Sequence, residues 1–94
     1  MHKVYKLLKK VPKGKVTTYG ALAKAVGLHP RQVAALMRKN HDPEIPCHRV
    51  VMSNGEIGGY NRGIQTKVKL LMKEGIEFNN SKIKNFKSAL FLFK

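Results

Sequence analysis

Cys47 and His48 stand side by side, and their types point most directly to covalent chemistry. A thiolate is the strongest nucleophile among the side chains, and a neighbouring imidazole can take the thiol proton or, once charged, favour the thiolate. An imidazole in that role needs a carboxylate to orient it. The chain has five Asp and Glu in all, and Glu74, in the last turn of a predicted helix, is the one expected to reach back to His48. A lone cysteine is more often a small buried hydrophobe, and a Cys-His pair also suits a cysteine protease. The single cysteine excludes an internal disulfide, and Cys/His spacing for structural zinc is missing, so neither metal nor cofactor is expected.

Charge narrows the class. Nineteen Lys and Arg against five Asp and Glu give +14 over 94 residues. Met1 to His41 holds no acid, yet carries Lys3, Lys6, Lys9, Lys10, Lys13, Lys15, Lys24, Arg31, Arg38 and Lys39. Such one-sided charge repels itself unless an anion lies against it, which favours nucleic acid over an anionic membrane and makes a protease a poor fit. No apolar run approaches the roughly 18 residues needed to span a bilayer. Met1–Lys10 is basic with no continuous apolar stretch behind it, so it does not read as a secretory leader. A reduced, cytoplasmic setting is expected, or a nuclear one in a eukaryote.

The elements that must position this pair can be read from periodicity and breakers. Val4, Leu7, Leu8 and Val11 recur at helical spacing, and Pro12 and Gly14 end that helix. Lys15–Thr18 reads as a connector, with Thr17 or Thr18 as N-cap of a second helix bearing Ala21, Leu22, Ala25 and Val26 and closed by Gly27. Pro30 opens a third helix, with Val33, Leu36 and Met37 inward and Arg31, Gln32, Ala35, Arg38 and Lys39 outward. Two short helices around a brief glycine turn, the second with a basic outer face, make a helix-turn-helix pattern. A strand-like core at Val50–Met52 follows, then a turn at Ser53-Asn54-Gly55. The loop Gly58-Gly59-Tyr60-Asn61-Arg62-Gly63 lacks the strand–GxGxxG–helix plan of a dinucleotide site. Thr66 to about Lys73 forms a fourth helix, with Val68, Leu71 and Met72 inward and Gly75 as its stop. Ile76–Phe78, Asn79-Asn80 and Ile83 suit a small hairpin. The Phe86–Lys94 tail fits helix or strand.

Ile45-Pro46-Cys47-His48-Arg49-Val50-Val51 resembles the active-site signature of the O6-alkylguanine-DNA alkyltransferases. The resemblance extends over roughly Val4 to Phe78. Thr18-Tyr19-Gly20, Leu22-Ala23, Pro30-Arg31-Gln32-Val33 and Met37-Arg38-Lys39-Asn40 are similar to that family's helix-turn-helix. Ser53-Asn54-Gly55, Gly58-Gly59-Tyr60 and Leu70-Leu71 through Glu74-Gly75 are similar to the stretch after its cysteine.

The resemblance implies a mostly α domain with a small β wing, a winged-helix-like helix-turn-helix carrying the active-site cysteine. It implies one domain over 1–94, with the helix-turn-helix at about 18–40, the active-site segment at 45–63, a C-terminal extension at about 79–94 and the family's N-terminal domain absent. It implies a suicide transfer of an alkyl group from guanine O6 to Cys47, without cofactor, on duplex DNA, by a monomer with no obligate protein partner. His48 would take the thiol proton through a water and Glu74 would orient His48. Asn40 resembles the hinge asparagine that joins the recognition helix to the active-site loop. Tyr19 resembles the tyrosine that helps rotate the nucleotide, Tyr60 the one that protonates the leaving guanine, and Arg31 the arginine inserted in the base's place. Met37, Val50 and Asn61 would line the base site; Thr18, Gln32, Ala34 and Ala35 would meet the minor groove.

Departures from the family pattern include Ala34 and Ala35 where glycine is frequent, a link from Asn40 to Cys47 one residue short, and Arg62 where a glycine or tryptophan is usual. Arg62 is expected to narrow the entrance for bulky alkyl groups. A non-enzymatic alkyltransferase-like damage binder and a plain winged-helix DNA binder are the alternatives; the first class lacks the cysteine, and the second leaves Cys47, His48, Tyr60 and Glu74 unexplained. Outside the motif, Tyr19 and Tyr60 suit ordinary half-buried aromatics. Arg49 is expected to satisfy nearby carbonyls, His2, His29 and His41 to be exposed and idle, Met52 and Met72 to fill the core, and Lys67, Lys69 and Lys73 to form a solvated face.

Overall fold

The fold was obtained as a computed structural model and is described for residues 2–93. Three helices come first: α1 (Lys3–Leu8), α2 (Tyr19–Val26) and α3 (Pro30–Lys39). Val4, Leu8 and Val11 pack with Leu22, Ala23, Val33 and Met37 into one buried cluster that also takes in Ile45, Cys47 and Val50. The Tyr5 hydroxyl donates to the Leu36 carbonyl and ties α1 to α3.

Local chemistry explains where these helices start and stop. Thr18 Oγ1 accepts from the Ala21 N–H at 3.0 Å and caps α2, and Gly27 ends it at φ +72°, a conformation that favours glycine. His2 and His29 are exposed but not idle. His2 Nδ1 caps α1, accepting from the Val4 N–H. His29 Nδ1 accepts from the Arg31 N–H, while the Gln32 side chain accepts from the His29 N–H at 2.8 Å, closing a reciprocal capping box around Pro30. The buried face of α2 is Leu22 and Ala23, with Ala25 exposed.

The β structure is slight. The connector Lys15–Thr18 contains a strand, β1 (Thr17–Thr18), that runs parallel to β2 (Val50–Val51), with Thr17 opposite Val50. Strands of two residues carry no alternation to read, and the partners lie far apart in sequence. A 3₁₀ turn at Cys47–Arg49 leads into β2. Helix α4 spans Ile64–Lys73, two residues longer at its start than the periodicity indicated. The hairpin of β3 (Phe78–Asn79) and β4 (Lys82–Ile83) turns through Asn80 at φ +61°.

The tail is both helix and extended chain. After α5 (Phe86–Ala89), Val16 donates to the Ala89 carbonyl and accepts from the Phe91 N–H, and Phe91 and Phe93 pack on the first cluster. Met1 and Lys94 lie outside the described residues, so the ends of the 1–94 domain and of the Phe86–Lys94 tail do too. A second cluster of Val16, Val51, Leu71, Ile76 and Ile83 lies beneath α4 and the hairpin. The mostly α architecture with small β elements is therefore the one that forms.

Three further side-chain expectations fail. Met52 and Met72 are not core filler, at 43% and 60% exposed. Lys67 is not part of a solvated face but is fully buried. It precedes Leu71 by one helical turn and shares its inward side.

Candidate active site

Cys47 follows Pro46 at the head of the 3₁₀ turn and is 6% exposed. The turn places its sulfur beside the end of α3. There Asn40, the C-cap residue, donates from Nδ2 to Cys47 Sγ at 2.9 Å. The same amide accepts from the Asp42 N–H at 3.1 Å, and Asn61 Nδ2 donates to the Asn40 carbonyl at 2.6 Å. One neutral network thus holds the helix end, the glycine loop and the sulfur in register.

A second, ionic network lies on the other side. His48 Nε2 meets Glu74 Oε2 at 3.0 Å. Arg49 grips both oxygens of Glu74, Nε to Oε1 at 2.9 Å and Nη2 to Oε2 at 2.7 Å, and spends Nη1 on the Val11 carbonyl at 2.8 Å. Burial would raise the Glu74 carboxyl; the hydrogen bonds and charges of Arg49 and His48 outweigh it and hold the group below its usual value. With Nε2–H given to Glu74, the free lone pair of a neutral His48 is on Nδ1. Arg49 therefore serves a carbonyl, as expected, and also clamps the carboxylate.

Burial pushes the Cys47 thiol up, against the opposing pull of the Asn40 amide and the Lys67 and Arg62 charges. Lys67 is the residue sequence reasoning missed. Its Nζ donates to the Val50 carbonyl at 2.6 Å and the Gly59 carbonyl at 3.1 Å, joining β2 to the glycine loop. Burial lowers its pKa to about 8, while Cys47 acts in the opposite sense. The signal that could have found it was position: the i, i+4 relation to Leu71 places a lysine on the inward stripe. Burial also raises the Tyr19 and Tyr60 phenols, so both are protonated donors at neutral pH.

Cys47 forms part of the wall of two cavities. The larger, about 710 Å³, is bounded by α3 through Pro30, Arg31, Ala34, Met37 and Arg38, and by Tyr19, Met52, Gly58, Gly59, Tyr60 and Asn61. A Cβ at Gly58 (φ +74°) would lie 3.3 Å from Met52 Cγ and 3.5 Å from the Tyr19 ring, so the glycine lets the loop close against that wall. The smaller, about 190 Å³, opens on the Asn40, Asp42 and His48 side.

Of the candidate residues, Cys47, Tyr19, Tyr60, Met37, Asn61, Arg31 and Ala34 meet at the larger cavity, and Asn40 and His48 at the smaller. Glu74 stands behind His48. Val50 does not join them: its side chain is fully buried in the core and its carbonyl is taken by Lys67. Thr18 and Gln32 spend their side chains as caps, and Ala35 lies off the cavity wall. Among the described residues no group of His, Cys, Asp and Glu could hold a metal, and no helix is long and apolar enough to cross a membrane.

Residues 1–76 match the family model for the 6-O-methylguanine DNA methyltransferase DNA-binding domain. A methylated-DNA–protein-cysteine methyltransferase of Metallosphaera sedula is 51% identical over 74 residues, covering 78% of this chain and 47% of that protein. A bifunctional methyltransferase/endonuclease of Picrophilus torridus is 46% identical over 83 residues, covering 85% of this chain and 28% of the other. The chain thus spans less than half the length of these relatives. The O6-methylguanine-DNA methyltransferase of Pyrococcus kodakaraensis superposes with a TM-score of 0.73 at 51% identity, covering 78% of this chain and 44% of that one. S. pombe Atl1, crystallised with damaged DNA containing O6-carboxymethylguanine, superposes with a TM-score of 0.82 at 33% identity, covering 95% and 91%.

Proposed function

The chain belongs to the O6-methylguanine DNA methyltransferase family, and from that premise we propose that it repairs duplex DNA by moving an alkyl group from guanine O6 to the Cys47 sulfur, once per molecule. The observation that carries this reading is the placement of Cys47 Sγ, held by the Asn40 amide on the wall of a cavity faced by α3.

A base inside a duplex is out of reach of a buried thiol, so the damaged nucleotide must turn out of the stack. Arg31, on the cavity wall at the first turn of α3, fills the vacated space, and Tyr19 sets the path of the turned nucleotide. The base enters between Met37 and Tyr60, with Asn61 beside it. The raised Cys47 thiol is neutral before reaction, so a base must take its proton; His48 does so from Nδ1 through a bridging water, while Glu74 holds the ring. The thiolate attacks the alkyl carbon, the C–S bond forms, and the C–O6 pair passes to guanine. Tyr60, a protonated phenol, supplies the proton to the leaving base. Thr18, Gln32 and Ala35 act at the DNA surface through the helix ends and the face they shape. Minor-groove contact fits a repair protein, because that groove carries little sequence information. The same reading gives one domain working as a monomer on duplex DNA, in the cytoplasm or in a eukaryote's nucleus.

Incubation with a duplex containing O6-methylguanine, followed by mass spectrometry, tests the proposal. A gain of one methyl group on the Cys47 peptide is expected, and none in Cys47→Ser. The second reading, a damage binder that does no chemistry, is favoured by the near full-length likeness to Atl1. Tight binding of the damaged duplex with no mass gain would establish it in place of the first.

A further inference from the structure

The smaller cavity holds the His48 side of the site and receives no part of the base, yet it opens on the reacting sulfur. In a displacement the sulfur, the carbon and the leaving oxygen are collinear, so any substituent on the carbon projects sideways from that axis. With the base in the larger cavity, the space left beside Cys47 is the smaller one, since both cavities share Cys47, Tyr60 and Asn61.

That space is charged. Arg62 lines it and does not line the larger cavity, so whatever narrowing it causes for bulky alkyl groups falls on the transferred group and not on the base. Among the described residues the one hydrogen bond of Arg62 is a long one, Nη2 to the His41 carbonyl at 3.5 Å, and it takes part in no ion pair. A guanidinium presents five N–H donors in a fork matched to a carboxylate, so most of them are unspent. Asp42 also lines the cavity, but its Oδ1 is turned to the Glu44 N–H at 2.9 Å. The Arg62 charge reaches the sulfur, helping to offset the effect of burial on the thiol.

We propose that Arg62 selects among alkylated guanines by the charge of the transferred group, favouring a short anionic substituent such as carboxymethyl, whose carboxylate it receives in the smaller cavity beside Cys47. This rests on the alkyl-transfer reading above. The Cys47 thiolate attacks the methylene carbon of O6-carboxymethylguanine, the C–S bond forms and the C–O6 bond breaks. The bonding pair goes to guanine, which takes one proton from Tyr60; the proton that His48 took from the thiol restores the phenol through water, and the products are guanine and S-carboxymethylcysteine.

Single-turnover rates on duplexes carrying O6-carboxymethylguanine, its neutral near-isostere O6-carbamoylmethylguanine, and O6-methylguanine test this, with the Cys47 peptide weighed in each case. The ratio of carboxymethyl to carbamoylmethyl rates within each variant cancels any shared loss. Wild type is expected to favour the anion, Arg62→Gln to lower the ratio about three- to tenfold, and Arg62→Lys to keep most of it, the size expected for one partly exposed charge-assisted contact. A ratio unchanged in Arg62→Gln, with methyl transfer intact in wild type, overturns the role of Arg62 alone. Transfer of no group by wild type overturns the alkyl-transfer reading and this one with it.

Discussion

Two polar networks flank Cys47, and they are built from different materials. On one side, Asn40, Asp42 and Asn61 form neutral amide and backbone bonds, one of which touches the sulfur. On the other, His48, Arg49 and Glu74 form a half-buried ionic cluster that does not touch it. Among the described residues no hydrogen bond joins His48 to Cys47. In the proposed reaction the neutral side fixes where the sulfur is, and the ionic side fixes where its proton goes. Charge belongs on the proton-accepting side because a carboxylate strengthens an imidazole as base. It would be costly against the sulfur, where a carboxylate with no cation to pair it would oppose the thiolate that must form.

The largest expected effect comes from breaking the ionic side. Glu74→Ala removes the partner of both His48 and Arg49 and leaves the guanidinium half-buried with only the Val11 carbonyl. Loss of one partner of such a pair is strongly destabilising; with part of the cluster open to solvent, about 2–4 kcal/mol is expected in denaturant unfolding. Single-turnover methyl transfer should fall roughly a hundredfold or more, as for the loss of an oriented general base. Glu74→Gln keeps the shape and should recover more stability than rate. Equal recovery of both would erase the division between holding and proton transfer.

Lys67 sharpens the comparison because it is a cation in the core with carbonyls, not a carboxylate, as partners. Below about pH 8 it is charged in both folded and unfolded chains, and the cost of burying that charge is fully present. Between about 8 and the unfolded value of about 10.4, the unfolded chain binds the extra proton, so stability rises with pH. A neutral amine still has two hydrogens for Val50 and Gly59. Wild type should gain about 2 kcal/mol over that window relative to Lys67→Met; the check is urea unfolding of both proteins from pH 7 to 10.5. Parallel curves would mean that Lys67 pays no burial cost.

What was legible in the sequence follows the reach of each interaction. Val4 and Leu8, the Thr18 cap, Gly27 and Pro30 act within a turn or two, and each does what its spacing indicated, whereas α1 closes at Leu8, short of Pro12, and Val11 packs into the core from beyond it. Glu74 was readable at long range because acids are so few. The pairing of Thr17 with Val50 was not, since two-residue strands carry no pattern. Lys67 was misread because residue type was allowed to override position: a lysine on a basic chain suggests solvent, while its place one turn before Leu71 pointed inward. His29 was misread for a related reason, as histidine is not among the favoured caps and its part in the capping box depends on the Gln32 side chain as well.

The smallest effect on stability is expected on the neutral side. Asn40→Ala deletes the part-buried bond to Cys47 Sγ and two exposed bonds to the Asp42 backbone, all neutral. Such bonds contribute about 0.5–1.5 kcal/mol each, and with the Asp42 contacts open to solvent the loss should be about 1–2 kcal/mol, below that of Glu74→Ala. The chemistry should suffer more than the fold, because the sulfur loses the group that holds it in line with the cavity, and methyl transfer should fall about tenfold. The thiol gives an independent readout. Burial raises its pKa and the Asn40 amide opposes that rise, so in Asn40→Ala the rate of iodoacetamide alkylation should reach its half-maximum at a higher pH than in wild type. Glu74→Ala, acting through His48 without touching the sulfur, should shift that midpoint less. If the two variants shift it equally, the sulfur answers to both networks alike, and the contrast between a positioning side and a proton-accepting side is lost.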